Sequence, residues 1–339
     1  MATKSAIRRR LSLQQYEEGI VSGQRTVLGQ AITLIESTLH DDRILAEALI
    51  EKLLPRTGKS VRVGITGVPG VGKSTFIEAF GEHITSTNKK LAVLAIDPSS
   101  KKNKGSILGD KTRMETLSKN PNAFIRPTAT GSSLGGVAGN TREAILLCEA
   151  AGYDVILVET VGVGQSEVAV RSMVDFFLLL MLAGAGDDLQ GIKKGIMEMA
   201  DGIVITKADG DNFKKASQAK ADFQYALHLF QAPESGWKVN VELTSALQNT
   251  GIRETWETIE SFTAHTQSNG HFVLNRQRQQ LEWLHESFDQ LLKEELLHSK
   301  KINSKLTSLQ KKVIANQLSP SKAARELLNE VYKIHDGKS

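Results

Sequence analysis

Between residues 61 and 243 short apolar runs alternate with longer helical stretches. The runs are Val61–Thr66, Leu91–Ile96, Phe124–Arg126, Val155–Val158, Phe176–Met181, Ile203–Thr206 and Val239–Leu243. Several are apolar throughout rather than alternating, as strands buried on both faces must be. Strands that alternate with helices predict an α/β fold with a doubly wound, mostly parallel sheet. Ligands then gather at the carboxyl ends of the strands.

The flanks read differently. Residues 1–58 are predicted as a helical extension, with Leu28, Ile32 and Ile35 at helical spacing. Leu45, Leu49 and Leu53 repeat that spacing behind Asp41, the expected N-cap, and Pro55 and Gly58 break it. Residues 59–268 form the expected nucleotide domain, and residues 269–339 a helical region. Leu281, Leu284, Phe288, Leu291 and Leu292 make one stripe there, and Ile302, Leu306, Leu309 and Val313 a second. A last helix is expected to open at Ser319-Pro320, with proline at its first position. Such stripes ordinarily bury against the same chain, with a dimer interface as the alternative.

Composition narrows the classes. The chain has 339 residues, 40% hydrophobic and 24% charged, enough for a sizeable α/β core. A formal net charge of +4 without a basic block gives no reason to expect a nucleic-acid partner. The single cysteine, Cys148, excludes an intramolecular disulfide and reads as a packed helix thiol. Arg8–Arg10 lack a following apolar segment, and Glu17 and Glu18 come soon after. The longest uncharged apolar run, Phe176 to Gly186, is too short to span a bilayer. No membrane partner is expected, and the expected location is the cytoplasm.

The chemistry centres on Gly67-Val-Pro-Gly-Val-Gly-Lys-Ser74, which follows a strand and opens a helix. That is the G-x-x-x-x-G-K-[ST] phosphate loop in its proper context. Its glycines let backbone N–H groups turn inward onto phosphate oxygens, and the helix start adds a positive dipole end. Gly70, Val71, Gly72, Lys73, Ser74 and Thr75 are therefore expected to bind nucleotide, with Lys73 on the β- and γ-phosphates and Ser74 on Mg²⁺.

Five further stretches fall where such a fold places its ligand. Asp97 ends the second run, where a carboxylate can hold Mg²⁺ or orient water, or merely end the strand before Pro98. Asp110 lies within a polar, glycine-containing loop, Gly105 to Arg113. Glu159-Thr-Val-Gly162 places an acid and, three residues on, a glycine whose N–H can sense a γ-phosphate. Thr206-Lys-Ala-Asp209 is similar to the [NT]-K-x-D guanine sequence. Asp209 can accept from guanine N1–H and its exocyclic amine, donors that adenine lacks on that edge, while Lys207 lies over the base. Ser245-Ala246-Leu247 matches the last guanine-contacting loop. Thr206 replaces the commoner Asn and so removes a side-chain amide. Guanine over adenine is the expectation.

Longer motifs carry a more specific resemblance. Asp97-Pro-Ser-Ser, Gly105-Ser-Ile-Leu-Gly-Asp-Lys-Thr-Arg-Met114, Cys148-Glu-Ala-Ala-Gly-Tyr-Asp154, Glu159-Thr-Val-Gly-Val-Gly-Gln-Ser-Glu167 and Gly186-Asp-Asp-Leu-Gln-Gly-Ile-Lys-Lys-Gly195 resemble the MeaB/ArgK/MMAA family of P-loop GTPases. These act as chaperones of adenosylcobalamin-dependent acyl-CoA mutases, chiefly methylmalonyl-CoA mutase. The resemblance implies GTP hydrolysis to GDP, Mg²⁺, a mutase partner and a homodimer formed through the C-terminal helices. It implies Asp97, Asp110 and Glu159 in the metal and water network, with Glu159, Lys73 and Asp97 as the catalytic set. Asp187 to Lys194 resemble an additional switch that responds to the mutase, with Lys193 as its coupling residue. Asn103-Lys104 stands where the family commonly has Thr-Gly.

Competing readings are a nucleotide-locked holdase with incidental turnover, a transport-associated kinase, and a nickel-insertion GTPase. The last would need a Cys/His cluster with ligand spacing, which one Cys and 8 scattered His do not supply. Neither the phosphate loop nor Glu159–Gln165 carries an arginine, so slow unaided turnover is expected, with Arg113 and Arg142 the remaining sources of positive charge.

Overall fold

A computed structural model describes residues 10–97, 114–129, 134–160, 166–183 and 194–336. Their elements run α1 (Leu13–Val21), α2 (Arg25–Ile35), α3 (His40–Leu53), β1 (Val61–Gly67), α4 (Lys73–Ser86), β2 (Leu91–Asp97), α5 (Glu115–Lys119), β3 (Ala123–Ala129), α6 (Leu134–Ala150) and β4 (Val155–Thr160). After these come α7 (Ser166–Arg171), β5 (Phe176–Leu182), α8 (Lys194–Met199), β6 (Gly202–Thr206), α9 (Phe213–Leu227), β7 (Asn240–Leu243), α10 (Ile252–Ser268), α11 (His271–His298), α12 (Lys300–Ile314) and α13 (Pro320–Asp336).

Among the described residues the strands form one sheet in the order β3-β2-β4-β1-β5-β6-β7, every neighbouring pair parallel. The continuously apolar strands are buried on both faces. On one side Ala92, Leu94, Ile156 and Val158 pack with α1, α2, α3 and α6. On the other, Leu91, Val93, Val63 and Ile65 pack with α4 and α10. A third cluster joins β5, β6 and β7 to α9. Cys148 lies inside the first cluster, and burial, with Glu149 beside it, pushes its thiol well above the usual range. This fits packing rather than nucleophilic chemistry.

The N-terminal helices follow the predicted stripes, since Leu28, Ile32, Ile35, Leu49 and Leu53 are buried. Asp41 is not the N-cap of α3. The helix begins two residues earlier, at His40, with Leu39 as cap and Asp41 and Asp42 in its first turn. There carboxylates still favour the positive helix end, and Asp42 accepts from Ser37 Oγ at 2.6 Å and forms an ion pair with Arg10, Nε to carboxylate oxygen 2.7 Å.

At the amino ends of the strands a buried ion network holds the start of α11. Arg276 donates twice to Asp175, at 2.7 Å each, and to the carbonyls of Gly58 and Ser60 at 2.7 and 2.6 Å. Arg62 forms a two-pronged pair with Glu149, at 2.9 Å on both arms. Burial pushes the Glu149 carboxyl up, but the Arg62 charge and hydrogen bonds from Arg62, Ser60 and Gly58 outweigh it and leave it lowered.

The chain divides into two compact units, residues 1–280 and 281–339. In the second, Ile302 and Leu309 of α12 are buried and α13 opens with Pro320 as expected. Among the described residues the stripe at Leu281, Leu284, Phe288, Leu291 and Leu292 is left 48–61% exposed. Among the described residues no helix is long and apolar enough to cross a membrane.

Candidate functional site

The candidate site lies at the carboxyl ends of β1, β2, β4, β6 and β7, as a parallel sheet requires. β1 runs into Gly67, whose missing side chain is needed, because a Cβ there would lie 2.5 Å from the Leu180 carbonyl oxygen on β5. The loop then turns through Gly72 at φ 92°, a left-handed conformation that caps α4. Lys73, Ser74 and Thr75 form the first turn of α4, so their N–H groups point at the loop's interior. The Lys73 ammonium donates to the Gly67 carbonyl at 2.7 Å and lies across the place where phosphates would bind.

Glu159 is buried near the end of β4, beside Ile65 of β1 and Ala95 of β2. It acts electrostatically on Lys73. Burial lowers the Lys73 pKa, while the charges of Glu159 and Glu167 push it back up. Asp97 ends β2, one step past the Ile96–Thr160 pair, so its backbone stands beside the end of β4. Asp110, Gly162 and Lys193 lie outside the described residues, as do Arg113, Asn103 and Lys104. Arg142 is buried on α6 and donates to Ser172 Oγ at 2.7 Å.

The base side is assembled by β6 and β7. Asp209 pairs with the Ser245 hydroxyl. The loop carrying Ser245, Ala246 and Leu247 is closed by reciprocal backbone bonds between Ser245 and Thr250, at 3.0 Å each. Lys207 takes the left-handed region at φ 56° and reaches back to donate to the Gly70 carbonyl at 2.9 Å. A cavity of about 210 Å³ lies between these groups, lined by Val71, Gly72, Thr75, Lys207, Asp209 and Leu247 among others. Leu247 is 84% exposed, free to cover one face of a bound base. The Ser245 hydroxyl bonds the Oδ2 side of the Asp209 carboxylate.

Three features escape sequence reasoning. Thr206 lacks the amide of the commoner Asn, yet its hydroxyl lies 2.7 Å from the Val71 carbonyl and 3.2 Å from that of Met181. The Thr160 hydroxyl donates to Thr66 at 2.9 Å, tying β4 to β1 beneath the phosphate loop. Glu167, buried at the start of α7, contributes a second carboxylate field at Lys73. Only distances across the fold reveal such pairings.

A phosphate loop over a parallel sheet, with a guanine-type carboxylate pocket beside it, defines a P-loop GTPase. The model for "Methylmalonyl Co-A mutase-associated GTPase MeaB" matches residues 28–302, and the chain belongs to that family. The Escherichia coli GTPase ArgK is 45% identical over 305 residues, 90% of this chain and 92% of that protein. The mouse mitochondrial methylmalonic aciduria type A homolog is 45% identical over 325 residues, 93% of this chain and 78% of that protein. A solved structure described as a LAO/AO transport system kinase superposes with a TM-score of 0.76 at 37% identity, covering 96% of this chain and all of that one.

Proposed function

We propose that this GTPase acts as a chaperone, its nucleotide state gating adenosylcobalamin loading or protection in an acyl-CoA mutase of the methylmalonyl-CoA mutase type. Support comes from the family and from one structural observation. The base-reading segment grips the phosphate loop, with Thr206 on the Val71 carbonyl and Lys207 on the Gly70 carbonyl. Occupancy of the base pocket is therefore felt at the phosphates, as a nucleotide-state device needs.

Within this reading Asp209, Ser245, Ala246, Leu247 and Lys207 hold guanine, while Gly70 to Thr75 hold the phosphates. Lys73 exchanges the Gly67 carbonyl for phosphate oxygens. Glu159 orients the attacking water. Ser74, Asp97, Asp110 and Glu159 would hold Mg²⁺, and the described part fits that task. Ser74 lies in the first turn of α4, and Glu159 and Asp97 end neighbouring strands. Such an ion neutralises charge that develops on the phosphates. The chain would work as a homodimer, with the exposed α11 stripe as its contact, in the cytoplasm and without membrane or nucleic-acid partners.

The test is GTP turnover with and without saturating mutase. Alone, the protein is expected at roughly 10⁻⁴ to 10⁻³ s⁻¹, the range of GTPases that lack an arginine finger. Mutase should accelerate it at least tenfold. Unchanged turnover would favour the holdase reading instead.

A further inference from the structure

Thr244 directly follows β7 and is 1% exposed. It stands one step past the Ile205–Leu243 pair, opposite Thr206 of β6. Its N–H donates to the Ile205 carbonyl at 2.9 Å, and its own carbonyl accepts from the Ala208 N–H at 2.9 Å. Partners in a parallel ladder carry their side chains on the same face of the sheet. Thr206 turns its hydroxyl to the Val71 carbonyl of the phosphate loop, so Thr244 faces that side too. There it lines the cavity of about 210 Å³, together with Thr206, Lys207 and Asp209. The Thr206 hydroxyl is taken up by the Val71 and Met181 carbonyls, and that of Ser245 by Asp209. The Thr244 hydroxyl is buried as well, yet it has no hydrogen-bond partner among the described residues. A buried polar group left in that state is costly and calls for a partner.

We propose that Thr244 is a further base-binding residue, whose hydroxyl donates to the edge of bound guanine that carries O6 and N7. Asp209 accepts from N1–H and the exocyclic amine, which leaves the two acceptors O6 and N7 on the neighbouring edge. The amide that Asn would bring to position 206 is absent from this pocket. That edge therefore takes its donor from elsewhere, and the Thr244 hydroxyl is fixed in place by two backbone bonds and shielded from water. Binding would satisfy a buried protein group and a base acceptor in one contact.

The inference rests on the pocket taking guanine, which the wild type tests separately: ADP bound as tightly as GDP would sink that reading whatever Thr244 does. For Thr244 the measurement is the affinity of GDP, 7-deaza-GDP and 6-thio-GDP for wild type, Thr244→Val, Thr244→Ala and Thr244→Ser. The first analogue lacks the N7 acceptor, and the sulfur of the second accepts weakly. Removing the hydroxyl should weaken GDP about five- to tenfold, with Val and Ala each checking the other if one fails to fold. Against the analogue that lacks the accepting atom, wild type and Thr244→Val should agree within about twofold. Thr244→Ser, which keeps the hydroxyl, should bind GDP within about threefold of wild type. Without nucleotide, Thr244→Val should unfold at no lower temperature than wild type, because it loses a buried group that has no partner. A merely structural hydroxyl would do the reverse, lowering stability and weakening all three nucleotides alike. That result, or GDP affinity unchanged in the Val and Ala variants, overturns the proposal.

Discussion

The Thr206 hydroxyl lies 2.7 Å from the carbonyl oxygen of Val71, so the strand that ends at the guanine pocket is fastened to the loop that takes the phosphates. Thr206 is 4% exposed, and its hydroxyl sits within reach of two carbonyls rather than water. Thr206→Val keeps the shape and removes the donor. The loss, about 1 kcal/mol or somewhat more with a carbonyl left unpaired, should weaken GDP and GTP alike by roughly tenfold. Fluorescent-GDP titration reads this directly. A Val variant that binds as wild type would mean that the bond does not support the loop.

Much of this was legible in the residues. Each of the seven apolar runs became a strand within a few positions, because burial on both faces demands a continuous apolar run that little else explains. The phosphate loop was readable because its chemistry is local to one short stretch, and Asp209 and Ser245, expected to act together, are paired in the structure. Thr206 to Val71 spans 135 residues and Thr160 to Thr66 spans 94. Such contacts exist only once the sheet order is known. What covers the exposed stripe at Leu281 to Leu292 was not legible for a related reason, since periodicity marks an apolar face without saying whether its own chain or a second copy covers it.

Glu143 gives a pH signature. Burial, reinforced by the nearby Glu47 carboxylate, raises it from 4.5 to about 7. A carboxyl whose folded pKa is raised binds its proton more readily in the folded state. Its stabilising share is complete below about pH 4.5 and is lost as pH rises through about 7. Glu143→Gln should therefore match wild type near pH 4.5 and exceed it by about 1–3 kcal/mol at pH 8. Urea unfolding at the two pH values checks the sign, and a variant weaker than wild type at pH 8 would contradict it.

Arg276 joins Asp175 to two carbonyls at the end of the sheet away from the nucleotide. Arg276→Met leaves the Asp175 carboxylate buried with one charged partner fewer, a loss of about 3–5 kcal/mol. Thermal unfolding should fall accordingly, while GDP affinity of the folded fraction stays within about twofold. A loss of nucleotide binding without loss of stability would tie this network to the site.

In the proposed reading Asp209 decides the base. Asp209→Asn replaces one acceptor by a donor, so guanine loses a partner while xanthine, with a carbonyl at that position, gains one. GTP affinity should drop by a factor on the order of 10² or more, and xanthosine triphosphate should bind better than GTP. Equal affinity of the wild type for ATP and GTP would remove the basis for this argument.

The same variant tests the proposed role most directly, through the rate of adenosylcobalamin uptake by apo-mutase. With wild-type protein, uptake should respond to GTP and not to xanthosine triphosphate. With Asp209→Asn that dependence should transfer to xanthosine triphosphate. Uptake indifferent to the nucleotide in both proteins would contradict a gate driven from this site.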